Sequence, residues 1–290
     1  MIRSFLFTPA DDERKVEKAL ASQADAVILD LEDSVAPANR PAARRIAARH
    51  AKAREQVWIR INPLDSEDAD VDLEEVVGGG PAGIVLPKPE SAGDAIDLAV
   101  RLDELEAEHD LPAGAIRILP ICTERPEALF ALGGYRDATP RLAGLAWGAE
   151  DLSTAVGART ARAPDGAWLP PYELARSLCL FGAAAAGVAA IDTVYTDFRD
   201  ARGLGEYAAR ARRDGFTGMF AIHPAQVAVI NDAFRPTPEE IDTARKIVEL
   251  FDANPGAGTL GLDGRMLDRP HLEQARRLLD VAGRVGSTEE

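Results

Sequence analysis

Eight short runs of apolar, largely β-branched residues alternate with Ala-, Arg- and Glu-rich stretches, and this alternation limits the possible folds more than any other feature of the chain. The runs are Ser4–Pro9, Ala26–Asp30, Val57–Asn62, Gly83–Lys88, Ile116–Thr123, Leu142–Gly148, Ala189–Tyr195 and Gly218–His223. Each is too continuously apolar for a strand with one wet face, so each predicts a parallel strand covered on both sides. Helices are predicted over Asp11–Ser22, Arg40–Ala53, Ala92–His109, Tyr172–Ala186, Leu204–Asp214 and Pro224–Phe234, with weaker helical signals after the third and fifth runs. Eight such alternations without a GxGxxG turn predict a closed (β/α)8 barrel, an α/β fold of the TIM-barrel type; an open doubly wound sheet is the alternative. The barrel is expected to occupy residues 1–250. Its last helix, Pro238–Asp252, has Thr237 to cap it and proline in its first turn. Residues 251–290 then form a small C-terminal helical extension: a glycine-rich, flexible or turn-rich connector, Asn254–Gly264, and a helix over Pro270–Val285.

Composition narrows the function classes. The net charge of −15 argues against nucleic acid or an anionic membrane as partner, because both need a basic face. No apolar run approaches the roughly 18 residues of a membrane span, and the N-terminus turns acidic at once, unlike a secretory signal. The cytoplasm is the expected location. Two cysteines, Cys122 and Cys179, lie in apolar segments and read as core thiols rather than as a disulfide or a metal pair.

In a barrel of this type chemistry belongs at the carboxyl ends of the strands. The second run ends in Asp30, Glu32 and Asp33, three carboxylates in four residues, which need a cation or arginines nearby unless Asp33 or Ser34 simply caps a helix. The third run carries Arg60 inside WIRIN, read as an anion contact in preference to a snorkelling arginine. Lys88, closing the fourth run, is expected to pair with the second-run acids, as structure or as part of the site. The fifth run ends on Glu124 and the sixth on Glu150 and Asp151. Neighbouring strands lie about 4.8 Å apart, so Glu124 and Asp151 are placed to share one ion unless both merely cap helices. Two carboxylates with open positions for water and substrate suit Mg²⁺ better than Zn²⁺, which favours histidine or cysteine ligands. The seventh strand is read as ending with Asp192, and Asp197 comes later. His223 ends the eighth, read as a residue fixing the last loop with a general base as the alternative, while His50 and His109 read as solvated.

The phrases RSFLFTPA, VILDLEDSVAP, IRINP, GIVLPKPE, WGAEDL, AIDTVYTDF and GFTGMFAIHPAQ, in this order and with the acid after the fifth strand, resemble the citrate lyase beta-subunit-like and malyl-CoA lyase-like proteins of the HpcH/HpaI aldolase/citrate lyase family. The resemblance runs over nearly the whole chain. It implies a Mg²⁺-dependent carbon–carbon lyase that works beside an acyl thioester, with an acyl-CoA substrate and a homotrimeric or hexameric assembly. By this resemblance Glu124 and Asp151 are metal ligands, Glu32 and Asp33 hold the metal's waters, and Arg60 contacts carbonyl oxygens. The tail GLDGRMLDRPHLEQA is similar to the malyl-CoA lyase type, which makes Asp268 the catalytic acid/base, reaching a neighbouring subunit. Arg3 and Pro9 are implied to contact coenzyme A. Two departures stand out: Arg125 follows Glu124 where threonine is commoner, and Met219 replaces the usual lysine of the eighth strand.

The expected activity is cleavage or formation of a 3-hydroxyacyl thioester such as malyl-CoA or citramalyl-CoA. The rival readings are a citrate lyase beta subunit acting on an acyl-carrier-protein thioester, a malyl-CoA thioesterase, and a non-catalytic acyl-CoA-binding protein.

Overall fold

A computed structural model describes residues 1–52, 56–164 and 166–286. The chain divides into two compact units, Ile2–Ala233 and the part from Phe234 onward together with Met1.

The first unit holds eight parallel strands: β1 Ser4–Pro9, β2 Ala26–Asp30, β3 Val57–Arg60, β4 Gly83–Leu86, β5 Arg117–Pro120, β6 Gly144–Ala146, β7 Ala189–Asp192 and β8 Gly218–Ala221. They lie in the order β5-β4-β3-β2-β1-β8-β7-β6. Parallel bridges between Ile118 and Leu142 and between Ile121 and Ala146 join the two ends. The result is the expected α/β barrel, and the open sheet is excluded. Every strand begins within two residues of its predicted start, but β3 to β8 stop two or three residues early. The apolar runs continue past the ladder because the residues that leave each strand are still buried: Ile61, Ile121 and Trp147 are all nearly inaccessible.

Helices α1 Glu13–Leu20, α2 Arg40–Ala51, α3 Asp68–Val76, α4 Ala92–Glu108, α5 Glu150–Ala155, α6 Pro170–Ala186, α7 Ala201–Asp214 and α8 Pro224–Ala233 separate the strands. Ala53, the last residue of one expected helix, lies outside the described residues. The weak signal after β3 is a true helix, α3; after β5 there are only 3-10 turns over Glu127–Phe130 and Leu132–Tyr135. Inside the barrel, Phe5, Ile28, Trp58, Leu119, Ile191 and Phe220 form one apolar cluster. Phe5 meets the edges of Trp58 and Phe220 at centroid distances of 5.6 and 6.1 Å. Cys122 and Cys179 are buried free thiols with their sulfurs 3.7 Å apart.

The second unit contains α9 Pro238–Asp252, β9 Thr259–Leu262, β10 Arg265–Asp268 and α10 Arg269–Gly286. A capping box, in which Thr237 and Glu240 exchange hydrogen bonds, starts α9. The connector departs from expectation in its second half, which is one strand of an antiparallel hairpin pairing Leu262 with Arg265. Asp263 and Gly264 both adopt positive φ, +49° and +77°, the signature of a type I′ turn, where Asp-Gly is favoured. The last four residues of the expected tail lie outside the described residues.

Trp58 fills the barrel axis, so Trp58→Ala is expected to cost about 3–5 kcal/mol of stability. A urea titration followed by far-UV circular dichroism checks this as a lower unfolding midpoint.

Candidate active site

Side-chain parity carries the site upward from the core. Ile28 and Trp58 point into the barrel, so Asp30 and Arg60, two residues further along strands that pair Asp30 with Arg60, point into it as well. There the Arg60 fork meets Asp30, Nε to Oδ1 and Nη2 to Oδ2, both at 2.7 Å. Nη1 reaches Glu32 Oε2 at 2.9 Å, and the guanidinium lies over the Phe7 ring at 4.8 Å. Burial pushes the Asp30 carboxyl up, but the charge and hydrogen bonds of Arg60 outweigh it and hold Asp30 below its ordinary value. The anion that Arg60 was expected to meet is therefore, in the first instance, part of the protein.

Lys88 gathers the remaining acids. Its backbone takes a left-handed turn, φ +50°, and its N–H donates to Glu124 Oε2 at 2.6 Å. Its ammonium pairs with Glu32, with Asp33 at 3.1 Å and with Asp151 at 3.5 Å. Lys88 thus pairs with the acids that follow β2, as expected, and also with Asp151. Glu32 remains raised, because desolvation exceeds what Arg60 and Lys88 return.

Glu124 is only 4% exposed, and its carboxyl is pushed up to about 8, first by desolvation and then by the negative charge of Asp151. Gly148 leaves room for it: a Cβ there would stand 2.9 Å from Glu124 Cγ. Asp151 lies in the first turn of the short α5 with its side chain 38% exposed, so it sits at the positive end of that helix and also beside Glu124. Among the described residues no three of His, Cys, Asp and Glu converge as a ready-made cage. A buried carboxyl raised by a neighbouring one still fits a hard cation, and Mg²⁺ uses one or two carboxylates while keeping several waters.

Other expected residues fall elsewhere. Pro9 stands beside Asp30 in register at the carboxyl edge. Arg3 precedes β1, at the opposite, amino edge, where its guanidinium is held bidentate by Asp25 at 2.8 Å; it is not brought to this site. Asp192 is one residue beyond the inward Ile191 and so faces the helices, where it accepts from Trp147, Arg176 and Tyr207. His223 stacks on Phe198 at 4.8 Å and its Nδ1 accepts from Ala225 N–H, as a loop-fixing histidine does. His50 is not simply solvated: its Nε2 lies 2.7 Å from Glu13. Arg125 bridges Asp65 and Glu90, each at 2.7 Å, on the loops after β3 and β4. Met219 is buried on the outward face of β8, next to the inward Phe220.

Asp268 closes β10 in the second unit. Its Oδ1 lies 2.5 Å from His271 Nδ1. His271 was missed in the sequence, although the Asp-x-x-His spacing at the start of a helix was there to be read.

The family model for HpcH/HpaI aldolase/citrate lyase matches residues 3–224. The chain belongs to that family. It is an enzyme of this carbon–carbon lyase family, and similarity extends well beyond the matched segment. The citrate lyase subunit beta of Escherichia coli (strain K12) is 36% identical over 99% of this chain and 95% of its own. A (3S)-malyl-CoA thioesterase of Cereibacter sphaeroides is 32% identical, over 98% and 96%. The crystal structure of the CitE protein of Mycobacterium tuberculosis, in complex with magnesium, acetoacetate and coenzyme A, superposes with a TM-score of 0.81 at 34% identity, covering 97% of this chain and 98% of that one. Among the described residues no helix is long and apolar enough to cross a membrane.

Replacing Lys88 by methionine removes the cation shared by Glu32, Asp33 and Asp151. The expected cost is about 1–3 kcal/mol, kept small by the partial exposure of Asp33 and Asp151. Chemical denaturation of Lys88→Met against the parent protein, without divalent ions, measures it.

Proposed function

We propose that this chain is a Mg²⁺-dependent acyl-CoA lyase that splits a 3-hydroxyacyl thioester, of the malyl-CoA or citramalyl-CoA kind, into a keto acid and a shorter acyl-CoA. The observation that carries this reading is the pair Glu124 and Asp151 beside Arg60 at the carboxyl end of the barrel, with the Glu124 carboxyl raised by its neighbour.

Glu124 and Asp151 would hold the metal, with Glu32 and Asp33 orienting its waters. Bound there, Mg²⁺ supplies Lewis-acid polarisation of substrate oxygens. Arg60, fixed on two sides by Asp30 and Glu32, offsets charge that grows on a substrate oxygen without having to reorganise. Asp268 is the acid that protonates the departing enolate carbon, or in the reverse direction the base that takes the proton from the acyl methyl group. Lys88 keeps the acids in place around the cation, and Pro9 shapes the edge where the thioester lies. The enzyme is read as cytoplasmic and as a homotrimer or hexamer, a state that sedimentation velocity measures directly.

Two other reactions stay in view because relatives carry their names. Citrate lyase beta subunit activity would need an acyl-carrier-protein thioester, and a thioesterase would direct water at the thioester carbonyl and release the thiol.

Incubation with Mg²⁺ and a panel of hydroxyacyl-CoA and hydroxyacyl-carrier-protein thioesters separates the three. Keto acid plus a shorter CoA ester is the expected result. Free CoA with intact hydroxy acid would make it a thioesterase, and turnover of the carrier-protein ester alone would make it a citrate lyase subunit. Within the lyase reading, Asp151→Asn is expected to weaken Mg²⁺ binding in a calorimetric titration while the barrel stays folded. Arg60→Lys keeps a charge but loses the planar fork, and kcat is expected to fall about 10²–10³-fold, the scale for losing one charge-stabilising donor.

A further inference from the structure

The contact between Asp268 and His271 has two possible meanings, and its atoms distinguish them. Asp268 immediately precedes α10, and His271 is the third residue of that helix. The Asp268 backbone N–H donates to His271 Nδ1 at 3.2 Å, which is the reciprocal half of a capping box. That bond requires a lone pair on Nδ1. The same nitrogen lies 2.5 Å from Asp268 Oδ1. With the lone pair present, the carboxyl must supply the proton of that contact. With the proton on Nδ1, the imidazolium donates to a carboxylate. The two states differ in the position of one proton across that contact, and the second also gives up the backbone N–H bond to Nδ1.

A helix cap needs only an acceptor at His271. An acid/base needs a partner that exchanges its proton, and imidazole is the side chain best suited to this near neutral pH. We propose that His271 is the positioning residue of Asp268, orienting its carboxyl and sharing its proton; this rests on the reading of Asp268 as the catalytic acid/base. In the cleavage direction the pair begins with one proton. Asp268 gives it to the enolate carbon and is left as carboxylate, His271 is left neutral, and solvent restores the proton through Nδ1. In the condensing direction Asp268 takes the proton from the acyl methyl group and passes it to the Nδ1 lone pair. No electron carrier or other co-reactant is required.

The charged surroundings belong to the same unit. From α9, Glu239 and Glu240 line a cavity of about 340 Å³ that His271 also borders. Arg269 is the next residue along the chain, and Thr259 pairs with Asp268 across the hairpin.

Glutamine at this helix position supplies a capping acceptor but cannot take up a proton, so His271→Gln separates the two roles. In the full-length protein, His271→Gln should keep the parent melting temperature. With Mg²⁺ and malyl-CoA its kcat should fall about tenfold while KM stays unchanged, a split that loss of a cap alone would not produce. An unchanged kcat with only a lower melting temperature would reduce His271 to a cap and overturn the proposal. A second arm needs no substrate: the ¹⁵N shift of His271 Nδ1, read at one fixed pH in the parent and in Asp268→Asn. A displaced Nδ1 shift is expected, and identical shifts would overturn the proposal whatever the activity. The underlying reading fails separately, if Asp268→Asn turns over at the parent rate.

Discussion

Five carboxylates and two cations meet at the carboxyl edge of the barrel, and the local structure follows from that imbalance. Arg60 is committed to Asp30 and Glu32, and Lys88 to Glu32, Asp33 and Asp151. Glu124 has the backbone N–H of Lys88 and the charge of Arg60 in its favour, against burial and the repulsion of Asp151 and Glu32. Buried groups of one sign are tolerated when a counter-charge, a proton or a metal relieves them. Here two counter-charges are built in, and the charge that remains is open to relief by a proton on Glu124 or by a cation such as the magnesium found in a solved relative. The left-handed backbone at Lys88 is part of the same arrangement, since it aims the N–H at Glu124 while the side chain spans the other acids.

Much of the barrel was legible because parallel strands buried on both faces leave a simple signal: apolar runs that end on polar residues. Parity would have sorted those ends further. Asp30 and Arg60 lie two residues beyond inward-facing Ile28 and Trp58, whereas Asp192 lies one residue beyond inward Ile191 and therefore belongs to the outer layer. Position within the run alone does not tell Asp192 from an inward-facing acid. Strand lengths were overestimated for a related reason: burial continues into the loops, and hydrophobicity reports burial, whereas the ladder ends where the backbone turns to present a side chain.

Apart from the pairing of Lys88 with the acids after β2, the partners were not legible, because they come from distant parts of the chain. Nothing near Arg3 announces Asp25, and nothing near Arg125 announces Asp65 and Glu90. In the tail the local signals were present and were outweighed by glycine content. Leu-Asp-Gly-Arg-Met-Leu is a hairpin sequence with its type I′ turn, and Asp-x-x-His opens a helix.

The barrel is sewn unevenly. Most neighbouring strands share a ladder, but β5 and β6 are joined only by isolated bridges, supported by Cys122 N–H to Ala146 O at 2.8 Å, Ala143 N–H to Ile118 O at 2.9 Å, and Gly148 N–H to the Thr123 hydroxyl at 3.0 Å. Glu124 follows one side of this seam and Asp151 the other. Under the proposed assignment, the ion is therefore also a clasp, fastening the cylinder at a seam that has bridges and no continuous ladder. Occupancy of the site and integrity of the hoop are then linked by mass action, so that filling one reinforces the other.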